Sequence, residues 1–209
     1  MIDKYDASGS SEGQFEPGSG DRVLANKLGI TSAEDMGDIE FDALLELERK
    51  LFDEFAFDRQ ITTKDLCDWH RRWLTNIYKW AGNYRNVNMS KDDFQFAVAH
   101  QIQRLMDSFN IDCLAVLTPC NNMNRAELIK ALARTHVEFI LIHPFRDGNG
   151  RLGRLIMTIM ALQAGQPVID FTYIQENKEK YILAIHAGMD MNYDPMEKIV
   201  TKVLESSCD

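Results

Sequence analysis

Apolar residues recur every three to four positions along most of the chain, which is the spacing of amphipathic helices. One run predicts a helix that is capped at Thr31 or Ser32 and ends near Phe55. A second run predicts a helix that starts at Thr62 or Thr63 and ends at Gly82. The same spacing predicts further helices over residues 21–28, about 98–110, from Asn124 up to His143, over 151–164, about 176–187, and from Asp194 onward.

Residues 84–97 have a different pattern. Val87 and Met89 alternate with polar neighbours, Ser90-Lys91-Asp92-Asp93 supplies a turn, and Phe94 and Phe96 alternate again. We therefore predict a β-hairpin with one free edge that leans on helices, because an isolated two-stranded hairpin is marginally stable. The sequence as a whole predicts an all-α fold with one small β-hairpin.

Composition adds limits to this fold. With 209 residues, 45% of them hydrophobic, the chain can bury a substantial core, which we expect in a single domain over residues 21–209. Residues 1–20 are rich in Ser, Gly and acidic groups and predict a flexible N-terminal arm. The net charge of −9 argues against general binding to nucleic acids or anionic membranes. No apolar run is long enough to span a bilayer.

The four cysteines lack zinc-type or CxxC spacing. We interpret them as reduced thiols of a cytoplasmic protein, with an exported effector as the alternative.

Residues 144–150 are expected to form a tight loop between two helices. Pro144 ends the first helix, and apolar periodicity resumes at Leu152. Gly148 and Gly150 allow a close backbone approach, while Phe145 is the expected apolar anchor of the loop. The free N–H groups and the dipole at the start of the second helix favour an anion, for which a phosphate is the natural guest.

The side chains around this loop suit the transfer of a phosphorus-centred group. His143 can accept a hydroxyl proton, and Asp147 is a carboxylate of the kind that holds Mg²⁺ together with substrate phosphates. Arg151 and Arg154 lie three residues apart on one helical face and can bind two phosphates, and Asn149 can donate its amide. Each residue alone has an ordinary structural explanation, but their joint occurrence favours function.

The run His143-Pro144-Phe145-x-Asp147-Gly148-Asn149-Gly150-Arg151-x-x-Arg154 resembles the full signature of the Fic family, HPFx[D/E]GNGRxxR. The resemblance extends to Trp80-Ala81-Gly82, Asn88-Met89-Ser90-Lys91 and Asn26-Lys27-Leu28-Gly29-Ile30, and it covers about residues 20–200. It implies the Fic fold, a helical bundle in which the hairpin over residues 84–97 is a flap.

The resemblance also implies an activity, the Mg²⁺-dependent transfer of AMP from ATP to a hydroxyl side chain of a target protein. His143 would be the catalytic base, Asp147 the metal ligand, and the flap would bind the target by strand addition. Gly150 stands where the kinase-like Doc branch has Lys, which favours AMP transfer over phosphorylation. The implied nucleotide-binding residues are Arg146, Gly148, Asn149, Gly150, Arg151 and Arg154, with Lys91 as a contact for nucleotide or target and with Asn177 and Tyr181 on the adenine side.

Many Fic proteins are inhibited by a helix with the pattern [S/T]xxxE[G/N]. Two stretches resemble it, one from Ser8 to Glu12-Gly13 and one from Thr201 to Glu205 that ends in Ser206. A solvated tail residue and a solvated helix face are the alternative interpretations of the two glutamates, and a separate antitoxin could supply the helix instead. An enzyme of the toxin–antitoxin type, with a homo-oligomeric state left open, is consistent with all of these.

Two other functions remain as alternatives. One is a different reaction, namely removal of AMP or transfer of another phosphate-linked group. The other is a catalytically silent nucleotide-binding regulatory module, against which the intact His143 argues.

Overall fold

The computed structural model describes residues 11–91 and 94–207. These residues are mostly helical, with one hairpin, which confirms the all-α prediction. A helical stretch over residues 99–117 contains α3 (Ile102–Phe109), a π-helical turn at Asn110–Leu114 and α4 (Ala115–Leu117). The remaining elements are α1 (Ala33–Glu54), α2 (Thr63–Leu74), β1 (Ser90–Lys91), β2 (Phe94–Gln95), α5 (Arg125–Ile142), α6 (Asn149–Gln163), α7 (Thr172–Glu176), α8 (Lys178–Ala187) and α9 (Asp194–Ser206).

The described chain divides into two compact units. The first unit lies within residues 1–55, 64–104 and 144–148, and the second within residues 56–63, 105–143 and 149–209. In the described residues, no helix is both long enough and apolar enough to cross a membrane.

The first unit is organised around α1 and α2. The hydroxyl of Ser32 caps α1 by accepting the N–H of Asp35 at 3.3 Å, as the sequence predicts. Glu40 is buried on the inner face of α1, where its carbonyl accepts the indole N–H of Trp73 at 2.8 Å. Its carboxylate accepts the hydroxyl of Tyr78 at 2.6 Å. These bonds satisfy a buried carboxylate and join α1 to α2 and to the segment that follows α2.

The hairpin of the first unit is antiparallel, and Ser90 pairs with Gln95 and Lys91 with Phe94. Val87, Met89 and Phe96 form a small apolar cluster beside it. The hairpin is confirmed, although its strands are shorter than the range of 84–97 and Ser90-Lys91 form a strand where a turn was expected.

The second unit is built around α5, which packs against α6 and α9, while α9 packs against α7 and α8. Helix α5 begins with a capping box, in which Asn124 accepts the N–H groups of Ala126 and Glu127 and the Glu127 carboxylate accepts the N–H of Asn124. Buried residues almost surround α5, which explains the length of its apolar run in the sequence.

Two predicted helices need correction. Residues 21–28 are not helical, since Asp21 has a φ of 59° and Leu24 forms a β-bridge with Phe15. Helix α2 ends at Leu74 and not at Gly82, because the chain turns there and the N–H groups of Ile77 and Tyr78 both donate to the carbonyl of Leu74.

Residues 11–20, the described part of the expected flexible arm, contact the chain that follows them. Ser19 is buried, and the Glu16 carboxylate accepts the N–H of Asn26 at 2.9 Å. Residues 1–10 of that arm lie outside the described residues.

Candidate functional site

The loop 144–148 belongs to the first unit, where His70 of α2 holds it. The ring of Phe145 is fully buried and stacks on the imidazole of His70, with centroids 4.0 Å apart and planes 11° apart. The Nε2 atom of His70 lies 3.1 Å from the carbonyl oxygen of Asp147. Stacking and hydrogen bonding therefore fix two alternate residues of the loop, and Phe145 is an apolar anchor as expected.

The hydrogen bonds of His70 define its tautomer. Its Nδ1 accepts the N–H of Gly82 at 2.8 Å, so Nδ1 carries no proton. Nε2 must then carry the proton and donate it to the carbonyl of Asp147, because a carbonyl can only accept. Gly82 itself has a φ of 80°, and a Cβ there would lie 2.6 Å from the Cβ of Arg71. A neutral, fully buried histidine thus links the 80–82 turn to the loop.

Gly148 closes the loop against Trp73. It has a φ of 82°, and a Cβ at this position would lie 2.6 Å from the indole ring of Trp73. The carboxylate of Asp147 accepts the N–H of Gly148 at 2.6 Å, and its side chain is only partly buried. The loop therefore needs glycine at 148 for both backbone and space, and it presents a hydrogen-bonded carboxylate at its turn.

Arg146 and Pro144 join the loop to other segments of the first unit. Arg146 is buried, and its Nε donates to the carbonyl of Glu12 at 2.7 Å. The carboxylate of Glu12 accepts the N–H of Asn86 at 3.1 Å. The carbonyl of Pro144 accepts the N–H of Arg85 at 2.8 Å. Glu12 is therefore a packed residue next to Arg146, whereas Ser8, its partner in the sequence pattern, lies outside the described residues.

His143 belongs to the second unit and caps the C-terminus of α5 in the left-handed conformation, with φ 52° and ψ 58°. It is 6% exposed, and its Nδ1 lies 3.2 Å from the carbonyl of Ile140. Because that carbonyl can only accept, Nδ1 donates, and the neutral ring carries its lone pair on Nε2. This tautomer is the one that a general base requires.

Helix α6 begins at Asn149, two residues earlier than the sequence predicted. Asn149, Gly150 and Arg151 consequently occupy its first turn, where backbone N–H groups have no partner within the helix. Asn149 is buried, while Arg151 and Arg154 are partly exposed. A guanidinium nitrogen of Arg154 lies 3.9 Å from the position that a Cβ on Gly150 would take. The start of α6 thus combines backbone donors with two cationic side chains, an arrangement that favours an anion.

His136 and Tyr181 lie behind this helix in the second unit. The Nε2 of His136 lies 2.8 Å from the hydroxyl of Tyr181, and a Cβ on Gly153 would lie 3.1 Å from the His136 ring. Burial, helped by the positive charge of Arg154 and partly opposed by a hydrogen bond to the backbone of Gly153, lowers the pKa of His136 to about 4. Burial raises the pKa of Tyr181 to about 12, with Arg154 acting in the opposite direction. The pair is therefore neutral and close to Arg154 at neutral pH.

Two further nucleotide-binding candidates of the second unit, Arg154 and Asn177, have defined contacts. The guanidinium carbon of Arg154 lies 6.0 Å from the centroid of the Phe171 ring, a cation–π distance. Asn177 stands between α7 and α8, where its amide donates to the carbonyl of Tyr173 at 3.0 Å. Its side-chain oxygen accepts Lys180 at 3.1 Å.

The remaining sequence candidates lie on α9 and on the hairpin. The hydroxyl of Thr201 donates to the carbonyl of Glu197 at 2.8 Å, and Glu205 forms an exposed ion pair with Lys202 at 2.8 Å. Lys202 lowers the pKa of Glu205, with a smaller contribution from Arg125. Lys91 is exposed at the end of β1.

Sequence reasoning missed two residues that organise the site, His70 and Arg85, and only a weak signal pointed to a third, His136. The hydrogen bond of His70 to Asp147 spans 77 positions, so no local pattern reveals it. His136 precedes His143 by seven residues on one helical face, which was the available signal, and its partner Tyr181 was a separate candidate.

The chain is similar in sequence to proteins of a known family. Residues 60–161 match the model of the Fic/DOC family. A relative from Nematostella vectensis named protein adenylyltransferase Fic is 27% identical over 150 residues, which cover 71% of this chain and 34% of the relative. The matched part spans about a third or less of the length of this and other animal relatives.

Solved structures agree with this match. The crystal structure of BepC, a VirB-translocated effector protein from Bartonella tribocorum with bound AMPPNP, aligns with a TM-score of 0.72 at 20% identity, covering 92% of this chain and 96% of that one. The N-terminal Fic domain of a putative cell filamentation protein from Bartonella quintana aligns with a TM-score of 0.71 at 25% identity, covering 90% of each chain. The helical fold with its hairpin is therefore the fold of Fic domains.

Proposed function

We propose that the chain, whose residues 60–161 match the Fic/DOC family, is a protein adenylyltransferase. It would transfer AMP from ATP to a hydroxyl side chain of a target protein and release pyrophosphate. The names of curated relatives and the nucleotide bound to a similar structure support a nucleotide substrate. The observation that carries the proposal is the state of His143, a helix-end histidine whose bonded Nδ1 leaves the lone pair on Nε2.

In the proposed reaction, Nε2 of His143 accepts the proton of the target hydroxyl. The hydroxyl oxygen forms a bond to the α-phosphorus, and the bond from that phosphorus to the bridging oxygen breaks, so that pyrophosphate leaves. Positioning and neutralisation of charge supply most of the rate in such reactions.

We propose that the first turn of α6 holds the phosphates. The N–H groups of Asn149, Gly150 and Arg151 would cradle the α- and β-phosphates together with Gly148, and Arg154 would bind the γ-phosphate. A lysine side chain at 150 would compete with Arg154, whose guanidinium packs close to Gly150. Arg146 would contribute to nucleotide binding from its buried position in the loop. Asn177 and Tyr181 remain proposals for the adenine side, and Tyr181 would be held by His136.

Asp147 fits a Mg²⁺ ion that is bound mainly by the nucleotide. Its partly exposed carboxylate is a hard oxygen ligand that the Gly148 N–H orients. Across residues 11–91 and 94–207, no three His, Cys, Asp or Glu side chains gather as a metal cage. One carboxylate together with substrate phosphates is how proteins commonly hold Mg²⁺. When bound, the ion would neutralise phosphate charge.

The target protein is proposed to dock on the hairpin. In the described residues the sheet consists of β1 and β2 alone, so each strand has an outer edge that could accept an extended segment of the target. Lys91, exposed on β1, would contact target or nucleotide.

Regulation is proposed to come from a glutamate-bearing helix, in this chain or in an antitoxin partner, within a cytoplasmic toxin–antitoxin type of system. Thr201 and Glu205 are candidates in cis, as are Ser8 and Glu12.

The test is incubation of the purified protein with Mg²⁺ and ATP that is radiolabelled at the α-phosphate, followed by denaturing-gel autoradiography. We expect protein-bound label that falls by at least about 100-fold in His143→Ala, the range of general-base contributions. His100→Ala, which changes an exposed histidine, is the matched control and should retain the label. Label that persists in His143→Ala, or label transferred only from γ-labelled ATP, would contradict AMP transfer by this base.

A further inference from the structure

Arg85 is a buried residue that joins three segments of the first unit. It is 2% exposed. Its backbone N–H donates to the carbonyl of Pro144 at 2.8 Å. Its Nη1 donates to the carbonyl of Val87 at 2.5 Å, and its Nη2 donates to the carbonyl of Ala97 at 2.6 Å. Val87 precedes β1 and Ala97 follows β2, so one guanidinium spans the base of the hairpin while the same residue's backbone holds the loop 144–148.

The hairpin needs stabilising contacts beyond its own strand pairing. Each of its strands has only two residues, and hairpins of this size are marginal in water. One further backbone bond, from the N–H of Phe96 to the carbonyl of Met89 at 3.1 Å, extends the pairing towards the base. Beyond it, the two chain segments are bridged by the guanidinium of Arg85.

A guanidinium suits this position for a geometric reason. Its planar fork directs donors to two carbonyls at once, and hydrogen bonds from a charged donor are stronger than neutral ones. Lysine would retain the charge as a single flexible point and would not hold the two carbonyls at a fixed separation. Hydrogen bonds from both Nη atoms to these carbonyls offset part of the cost of burying the charge.

We propose that Arg85 is a positioning residue for the target protein, which sets the orientation of the hairpin relative to the motif loop. The inference rests on the proposed function, in which the target docks on the hairpin edge. If the hairpin is displaced, a target hydroxyl is presented poorly, whereas the loop that Phe145 and His70 hold keeps its own contacts. Loss of the two guanidinium hydrogen bonds of Arg85 should therefore impair transfer of AMP to protein more than transfer of AMP to water.

The first experiment measures how AMP is partitioned in Arg85→Lys. In one reaction the oxygen of a protein hydroxyl attacks the α-phosphorus; in the other, water attacks it and free AMP is released, with pyrophosphate leaving in both. The chain itself is the protein acceptor. We expect the ratio of protein-bound AMP to free AMP to fall at least about tenfold, since misplacing a reacting group by about 1 Å can slow a reaction about 100-fold. A merely structural defect would lower both products in parallel and leave the ratio unchanged, which would overturn the proposal.

The matched control is Arg104→Lys. Arg104 is exposed and bonds to the side chain of Gln101, outside the hairpin and the motif. It should leave the ratio at the native value. Affinity for ATP, measured by calorimetry with Mg²⁺, should stay within about twofold in both variants, because the phosphate-binding residues are unchanged. A large loss of ATP affinity in Arg85→Lys alone would assign Arg85 to the nucleotide side and overturn the proposal.

Amide hydrogen exchange of the full-length chain is an independent readout that needs no activity. In Arg85→Lys and Arg85→Gln, amides of the hairpin should exchange at least about tenfold faster, while those of α5 keep their protection. Equal exchange of the hairpin in native and variant protein would overturn the proposal even if AMP transfer is observed. If the native protein yields neither labelled protein nor free AMP, the proposed function fails, and exchange alone decides whether Arg85 holds the hairpin.

Discussion

Three buried histidines have different roles because their ring nitrogens have different partners. His143 donates from Nδ1 to a carbonyl, which leaves the lone pair of the neutral ring on Nε2. His70 accepts at Nδ1 and donates from Nε2, so both of its nitrogens are used in holding the loop. His136 bonds to Tyr181 and is kept neutral by burial. Residue type therefore indicated candidates, and only the hydrogen-bond partners distinguish the proposed base, His143, from His70 and His136.

His136 should make the folded state sensitive to acid. Its pKa is lowered from an ordinary 6.5 to about 4 in the folded protein, so the unfolded state binds more protons between these values. The contribution of His136 to the free energy of unfolding is therefore fully present above about pH 6.5. It falls by about 3 kcal/mol as the pH is lowered towards 4. The measurement is urea unfolding at several pH values between 7 and 4.

The variant His136→Gln isolates this contribution, because glutamine can still bond to Tyr181 but does not titrate. We expect its stability to fall less with acid than that of the native protein, by the same amount of free energy. The acidic residues titrate equally in both proteins and cancel in the comparison. Parallel curves would show that His136 is protonated in the folded state without penalty.

At the scale of residues, the sequence indicated the members of the motif but not the residues that hold them. The motif residues 143–154 are contiguous, so their combination of a base, a carboxylate and two arginines can be recognised from the sequence alone. His70 and Arg85 act through backbone carbonyls of distant segments, and a carbonyl is present at every position. Nothing in their sequence neighbourhood therefore marks which carbonyl they bind.

The connection from α5 to α6 requires glycine at position 148. Replacing Gly148 by Ala would force a left-handed residue with a Cβ 2.6 Å from the indole of Trp73. Backbone strain and the clash with a rigid ring together should lower the free energy of unfolding by about 3 kcal/mol. Urea unfolding measures this loss.

Gly29→Ala is the matched control for Gly148→Ala. Gly29 has a similar φ of 68°, but no atom lies within 4 Å of the position that its Cβ would take. We expect Gly29→Ala to lower the free energy of unfolding only through backbone strain, by about 1 kcal/mol. An equal cost for the two substitutions would mean that Trp73 moves aside freely, and that the loop is not packed as described.

Helix ends were predicted well where side chains cap them. Ser32 and the Asn124–Glu127 box mark the starts of α1 and α5 in both sequence and structure. The helix expected over 21–28 failed because Asp21 takes a left-handed conformation and Leu24 pairs with Phe15, a tertiary contact that overrides local spacing. The start of α6 was placed too late because Asn149 and Gly150 are poor helix formers, yet they occupy its first turn.

At the scale of the whole molecule, the position of Glu205 along α5 bears on where an inhibitor would act. Helix α5 has 18 residues and begins at Arg125, so it is about 27 Å long, with His143 at its other end. Helix α9 packs against α5, and Glu205 pairs with Lys202. The positive charge of Arg125 contributes to the lowered pKa of Glu205. The structure therefore places Glu205 near the start of α5, far from the end that carries the proposed base.

We accordingly expect Glu205→Gly to leave protein labelling by α-labelled ATP within about twofold of native, since an exposed ion pair contributes little. Glu205→Gln is the companion variant, because it removes the charge and keeps the propensity for helix, whereas glycine also weakens α9. A rise of more than tenfold in both variants would place the inhibitor on α9 and contradict this placement. Unchanged labelling in both would leave the N-terminal segment around Glu12 or a separate protein as the source of inhibition, and adding back candidate partner proteins to the same labelling reaction would then separate these two.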